Sequence, residues 1–251
     1  MGDVCERTNL TLLPYHHPML RDQAETVEFP LSLEDSKLIN DMLFSVEEPQ
    51  LASAGAPWPS AAGMAAPQWG ASRRIFVIQR QYFETSKHFQ EVEKHLNGSE
   101  RFVVVINPKY KGICQKAFEF MNDNSENDFN NTTDDCPINR TNKIIYDAEE
   151  ITGMEGCFSV PGRNGLVRRY KFIEANFFSI DGTELSMVLD GWSARVFQHE
   201  TDHIEGILYD DSVANKCIVL FYHCYLLYFI IIIIVCIVLY CICILSTVIV
   251  N

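Results

Sequence analysis

Positive charge is scarce in this chain. Over 251 residues, 20 Lys and Arg stand against 33 Asp and Glu, a formal net charge of -13. So acidic a body repels phosphate backbones, which argues against a direct nucleic-acid partner. The amino-terminal stretch lacks the apolar core of a secretory signal, and Asp3 and Glu6 depart from the acid-poor character of an organellar presequence. Glu6 also stands where a myristoylation motif needs Ser or Thr. Outside the C-terminal tail, Cys5, Cys114, Cys136 and Cys157 form no CxxC pair and no disulfide spacing, which suits a reducing compartment. Residues 121–142 are rich in Asn and Asp but hold no DxDxDG calcium loop. Their shortage of apolar side chains makes them a disordered insertion. Charge disappears after Lys216. Between Cys217 and Val250 there is no Asp, Glu, Lys or Arg, and a bilayer needs only about 20 such residues, so 217–250 reads as a transmembrane helix.

What is present has clear periodicity. Leu38, Ile39, Met42, Leu43 and Val46 recur at helical spacing after Ser32 or Asp35, either of which can cap a helix, and Met42 belongs to its core face. Residues 47–60, with their Pro, Ala and Gly, predict a loop. Strands are predicted at 74–79 and 101–108 from β-branched and aromatic content. Between them, residues 83–96 predict an exposed charged helix whose His88 and His95 lie on a solvated face. Two more strand-like runs, 169–180 and 183–190, flank Asp181-Gly182, a hairpin signal.

Three short stretches carry chemistry. The run 191–207 contains His199-Glu200-Thr201-Asp202-His203. In a helix ending at Gly206, the two imidazoles lie one turn apart on one face, with the Glu200 carboxylate beside them. Paired histidines and an adjacent carboxylate suit a metal ion that activates water, although HExxH also arises by chance. Ala61-Ala-Gly-Met-Ala-Ala-Pro-Gln68 is a small-residue segment that would let another chain approach its backbone. Glu155-Gly-Cys-Phe-Ser159 places a cysteine beside a glycine.

Taken together, AAGMAAPQ, EGCFS and QHETDH resemble, in order and content, the three signature motifs of peptide deformylases: GxGxAAxQ, EGCxS and QHExDH. The flanking runs 17–21, 160–170 and 191–211 are similar too, so the resemblance covers about residues 12–213. It departs at Ala61, where the family has glycine, and in the long insertion between the first two motifs. The resemblance implies an α+β fold, with mixed or antiparallel sheets packed around a central HExxH helix, here followed by the apolar C-terminal helix. It implies a catalytic domain over 12–213, after an N-terminal extension over 1–11. It also implies that Cys157, His199 and His203 bind one divalent ion, Fe(II) foremost, with Zn(II), Ni(II) or Co(II) as substitutes. Glu200 would move the proton, while the Gln68 amide and the Phe158 backbone N–H stabilise the oxyanion. Gly63, Glu155 and Gly156 would bind substrate, the peptide lying as an added strand with its methionine side chain near Val196 or Phe197. The implied substrate is the N-formylmethionyl terminus of a nascent chain near the ribosome. Rival readings are an HExxH metalloprotease and an inactive, membrane-anchored binding module. The insertion and tail suggest a mitochondrion or other organelle, with the bacterial cytoplasm as the alternative.

Overall fold

The structure is a computed structural model that describes residues 7–53, 55–56, 58–122 and 148–211. In chain order its elements are α1 (Leu33–Ser45), α2 (Glu48–Ser53), β1 (Gly63–Ala65), β2 (Ile75–Gln79), α3 (Gln81–Glu84), α4 (Phe89–Val92), β3 (Phe102–Ile113), α5 (Gln115–Asn122), β4 (Glu150–Gly156), β5 (Asn164–Tyr170), β6 (Phe172–Phe178), β7 (Glu184–Asp190) and α6 (Gly191–Ile204). The predicted tail helix over 217–250 and residues 123–142 of the predicted disordered insertion lie outside the described residues. Residues 121 and 122 close α5. Among the described residues no helix is long and apolar enough to cross a membrane.

The expected α+β arrangement is present, and all strand pairs between the named strands are antiparallel. Five strands run in the order β1-β2-β3-β6-β7, and β4 and β5 form a separate two-stranded sheet. Strand β2 is apolar without alternation because both of its faces are covered. Phe76 and Ile78 join the core with Ala194, Val196, Phe197 and Ile204 of α6. Ile75 and Val77 join a second core with Ile39, Met42 and Val46 on the α1 side. Ser32 caps α1, its side chain accepting from the Asp35 N–H at 2.9 Å. Of the N-terminal extension, Thr8 and Leu10 are tied to α1 by N–H bonds to Asp41 and Ser45.

Two local expectations need correction. Residues 83–96 do not form one exposed helix. They make the single turns α3 and α4, then a 3-10 turn over Glu93–His95, and Phe83, Val92 and Leu96 are buried. The surface charges of this segment disguise three apolar anchors. The supposed loop 47–60 holds α2. Pro49 falls in that helix's first turn, where its missing N–H costs nothing. The hairpin at Asp181-Gly182 joins β6 to β7 as expected, with Gly182 at φ +82°.

Candidate metal centre

Three elements bring the motif side chains together. Helix α6 supplies His199, Glu200 and His203. It stops at Gly206, where φ is +72° and an added Cβ would lie 2.6 Å from the Arg21 carbonyl oxygen, so only glycine fits. Cys157 follows β4 in a turn closed by the Val160 N–H on the Cys157 carbonyl at 3.0 Å. Gln68 sits on the 3-10 turn Ala66–Trp69 that leaves β1.

The Cys157 Sγ and ring nitrogens of His199 and His203 all lie within 4.8 Å of one another. Sγ is 3.2 Å from His203 Nε2, and the two imidazoles meet edge-to-face with centroids 5.0 Å apart. A thiolate and two imidazoles converging in a buried spot make a donor set of the kind that holds Fe(II) or Zn(II). The titration behaviour of the rings agrees. Burial alone would lower the His199 pKa, but its hydrogen bonds with Cys157 and Glu155 outweigh burial and raise it, so the cluster attracts positive charge. Burial lowers the pKa of His203 and favours its neutral ring, whereas His199 would give up its proton when a cation takes that place.

Glu155 organises this cluster. One carboxylate oxygen accepts from Arg169 Nε at 3.0 Å and Arg195 Nη1 at 2.6 Å; the other accepts from Arg169 Nη2 at 3.0 Å and meets His199 Nδ1 at 2.9 Å. Burial would push this carboxyl up, but hydrogen bonds from His199 and Arg169 hold it far below the ordinary range. Arg169 also pairs with Asp202. Arg195 reaches the Ile151 and Val167 carbonyls, and Gln198 bonds to both the N–H and the C=O of Tyr170. These bonds tie α6 to the β4–β5 hairpin, holding Cys157 beside the two histidines of the helix.

Glu200 is buried beside the ligands, and burial pushes its carboxyl up to about 7. Its Oε2 has no hydrogen-bond partner among the described residues, and neither has His203 Nδ1. Gly63 faces it so closely that a Cβ there would be 2.8 Å from Glu200 Oε1. A cleft of about 450 Å³ opens from this point, lined by Gly63, Gln68, Gly156, Phe158, Trp192 and Val196 among others.

The residues expected to hold the metal, move the proton, stabilise the oxyanion or bind substrate lie at or beside the cleft. Glu155, expected among substrate contacts, has its carboxylate occupied by His199 and the two arginines. Of the two residues considered for the methionine pocket, Val196 lines the cleft. Phe197 is instead sealed in the core, edge-on to Phe76 at 5.2 Å. Sequence reasoning assigned no role to Arg169, Arg195, Ser159 or Trp192, nor to Trp58, whose ring meets Phe158 edge-on at 5.2 Å.

Comparison with known proteins places this geometry. The family model described as polypeptide deformylase matches residues 9–217. The peptide deformylase of Macrococcus caseolyticus is 31% identical over 203 residues, covering 78% of this chain and 85% of that protein. Peptide deformylase 2 of a Nostoc species is 27% identical over 207 residues, 82% and 87% of the respective chains. Among solved structures, the deformylase of Thermotoga maritima shares the fold, with a TM-score of 0.54 and 23% identity over 83% of this chain and all of that one. A probable peptide deformylase of Synechococcus phage S-SSM7 gives 0.51 and 29% over 81% and 99%.

Proposed function

The chain belongs to the polypeptide deformylase family, whose metal-dependent hydrolases remove the N-formyl group from nascent peptides, and from that premise we propose how its own residues divide the work. The family membership sets aside the HExxH metalloprotease reading, and the formate-release assay below separates an active enzyme from an inactive module. Cys157, His199 and His203 hold the ion, and the observation that carries this is the convergence of their donor atoms within 4.8 Å. When bound, the ion polarises the formyl carbonyl and lowers the pKa of water.

Glu200 is the proton carrier. A carboxyl raised to about 7 by burial sits near the working pH, so it can accept a proton from the attacking water and pass it to the departing amine. The Gln68 amide and the Phe158 N–H face the developing oxyanion. Removing one such donor costs about 10²–10³ in kcat. The substrate backbone lies between β1 and β4, each at the edge of its sheet, and joins them as an added strand. Gly63 and Gly156 leave room for it, and Trp192, Val196 and Phe158 enclose the methionine side chain.

Fe(II) is proposed as the resident ion, with Zn(II), Ni(II) and Co(II) as substitutes at the same donors. Action close to the ribosome, an organellar home and anchoring through residues 217–250 are proposals resting on the substrate class and on sequence alone. Fractionation of cells making the full chain tests the last two. The site assignment is tested by metal analysis of anaerobically purified protein alongside release of formate from formyl-Met-Ala-Ser. Glu200→Ala should keep the metal and lose turnover, and Cys157→Ala should lose or exchange the metal. Unchanged metal content in the cysteine variant sinks the ligand set.

A further inference from the structure

The Gln68 amide is anchored at both ends, and one of the anchors has no assigned role. Its Oε1 accepts the Ala65 N–H at 2.8 Å. A backbone N–H only donates, so this bond fixes which end of the amide is oxygen and turns Nε2 toward the metal ligands. There Nε2 lies 3.1 Å from Ser159 Oγ and 3.6 Å from Cys157 Sγ. An amide nitrogen has two protons to give. The Ser159 hydroxyl accepts one of them. The second is donated to Cys157 Sγ, on the side of the cluster where the oxyanion is placed in the reading above. Ser159 is buried, and its own N–H also meets Cys157 Sγ at 3.4 Å. Serine at 159 therefore brackets the thiolate from one side and the glutamine from the other.

We propose that Ser159 is a positioning residue: by consuming one Nε2 proton of Gln68, its hydroxyl aims the other at the reacting carbonyl. Without that acceptor, the amide still holds Ala65 but can swing about its side-chain torsions. The remaining N–H then leaves its place at the sulfur side of the cluster, and it is no longer preorganised for the charge that develops there. The effect belongs to the transition state, so it falls on kcat rather than KM. The inference rests on the reading of Gln68 as an oxyanion donor, and the experiment is chosen to separate the two.

The test is a double-mutant cycle on the metal-loaded full chain, with Ser159→Ala, Gln68→Ala and both together, each checked for metal content and thermal unfolding. Gln68→Ala should lower kcat about 10²–10³-fold. Ser159→Ala should lower it about 10- to 100-fold with KM and metal content little changed. In the Gln68→Ala background, Ser159→Ala should do nothing further, because its target is gone. A readout independent of turnover is hydrogen exchange of the Gln68 side-chain amide by NMR: slow in the wild type, fast in Ser159→Ala. Ser159→Thr, which keeps the hydroxyl, should retain the slow exchange. Equal slowing by Ser159→Ala with and without Gln68 overturns the proposal, as does unchanged amide exchange. A Gln68→Ala enzyme with full kcat instead removes the oxyanion assignment itself, and the inference with it.

Discussion

Helices α1 and α6 pack on opposite faces of the same sheet, yet they are built on different terms. Helix α1 buries Ile39 and Met42, and its buried polar residues find ordinary partners: Asp35 with Arg73 at 2.7 Å, Asp41 with Lys37 at 2.6 Å, Ser45 with its own helix. Helix α6 buries Arg195, Gln198, Glu200, Thr201 and His203 along with its apolar face. It leaves two of their polar atoms without a partner among the described residues. Burying charge is costly, and its stabilising return is small even when the pairing is good. The contrast therefore separates a helix that only holds the sheet from one whose polar face is spent on chemistry.

Glu155→Gln should sharpen that contrast most. It leaves Arg195 without its buried counter-charge and Arg169 with Asp202 alone, a loss of about 3–5 kcal/mol by analogy with broken buried pairs. It also weakens the hold on His199 Nδ1, and loss of such outer partners costs about 10–100-fold in metal affinity. Thermal unfolding and chelator competition measure the two, and a variant with wild-type metal retention breaks the argument. Met42→Ala, on the other face, should cost about 2–5 kcal/mol in unfolding free energy. Its kcat per folded, metal-loaded molecule should stay at the wild-type value, and a fall in that number would mean that α1 also shapes the site.

The smallest effect concerns the turn between β6 and β7, far from either helix's chemistry. Hydrogen bonds from Ser179 and Thr183 lower the Asp181 carboxyl to about 2. A carboxylate whose pKa is depressed on folding stabilises above its ordinary value of 3.8 and loses that contribution as pH falls toward 2. Asp181→Asn should therefore lower the melting temperature slightly at pH 5–7, with the gap to wild type closing below pH 4. A gap that persists unchanged at pH 2.5 would show that the carboxylate's charge is not what the turn uses.

What the chain reveals before folding follows the range of each interaction. The HExxH helix, its stop at Gly206 and the Asp181-Gly182 hairpin depend on neighbours within a few residues, and they stand in the sequence. The cysteine ligand was legible only because its neighbours match a known motif, since nothing local ties position 157 to position 199. The Arg169–Glu155–Arg195 network was invisible for the same reason. A basic residue on an alternating strand (Arg169) or a helix (Arg195) looks solvated until a partner 14 or 40 positions away is brought beneath it. Residues 83–96 failed in the opposite sense, because Glu84, Glu91, Glu93 and Lys94 set the apparent character while Phe83, Val92 and Leu96 set the packing.

Gly63 carries a last consequence. On the β1 side the cleft is bounded by the Glu200 carboxylate, the proposed proton carrier, with no spare volume for even a methyl group at Gly63. Attempts to re-engineer this enzyme for bulkier or smaller leading side chains must therefore leave that strand alone and work at Trp192, Val196 and Phe158. The tolerance of the pocket and its proposed acid–base machinery meet on helix α6, where Val196 stands one turn from Glu200.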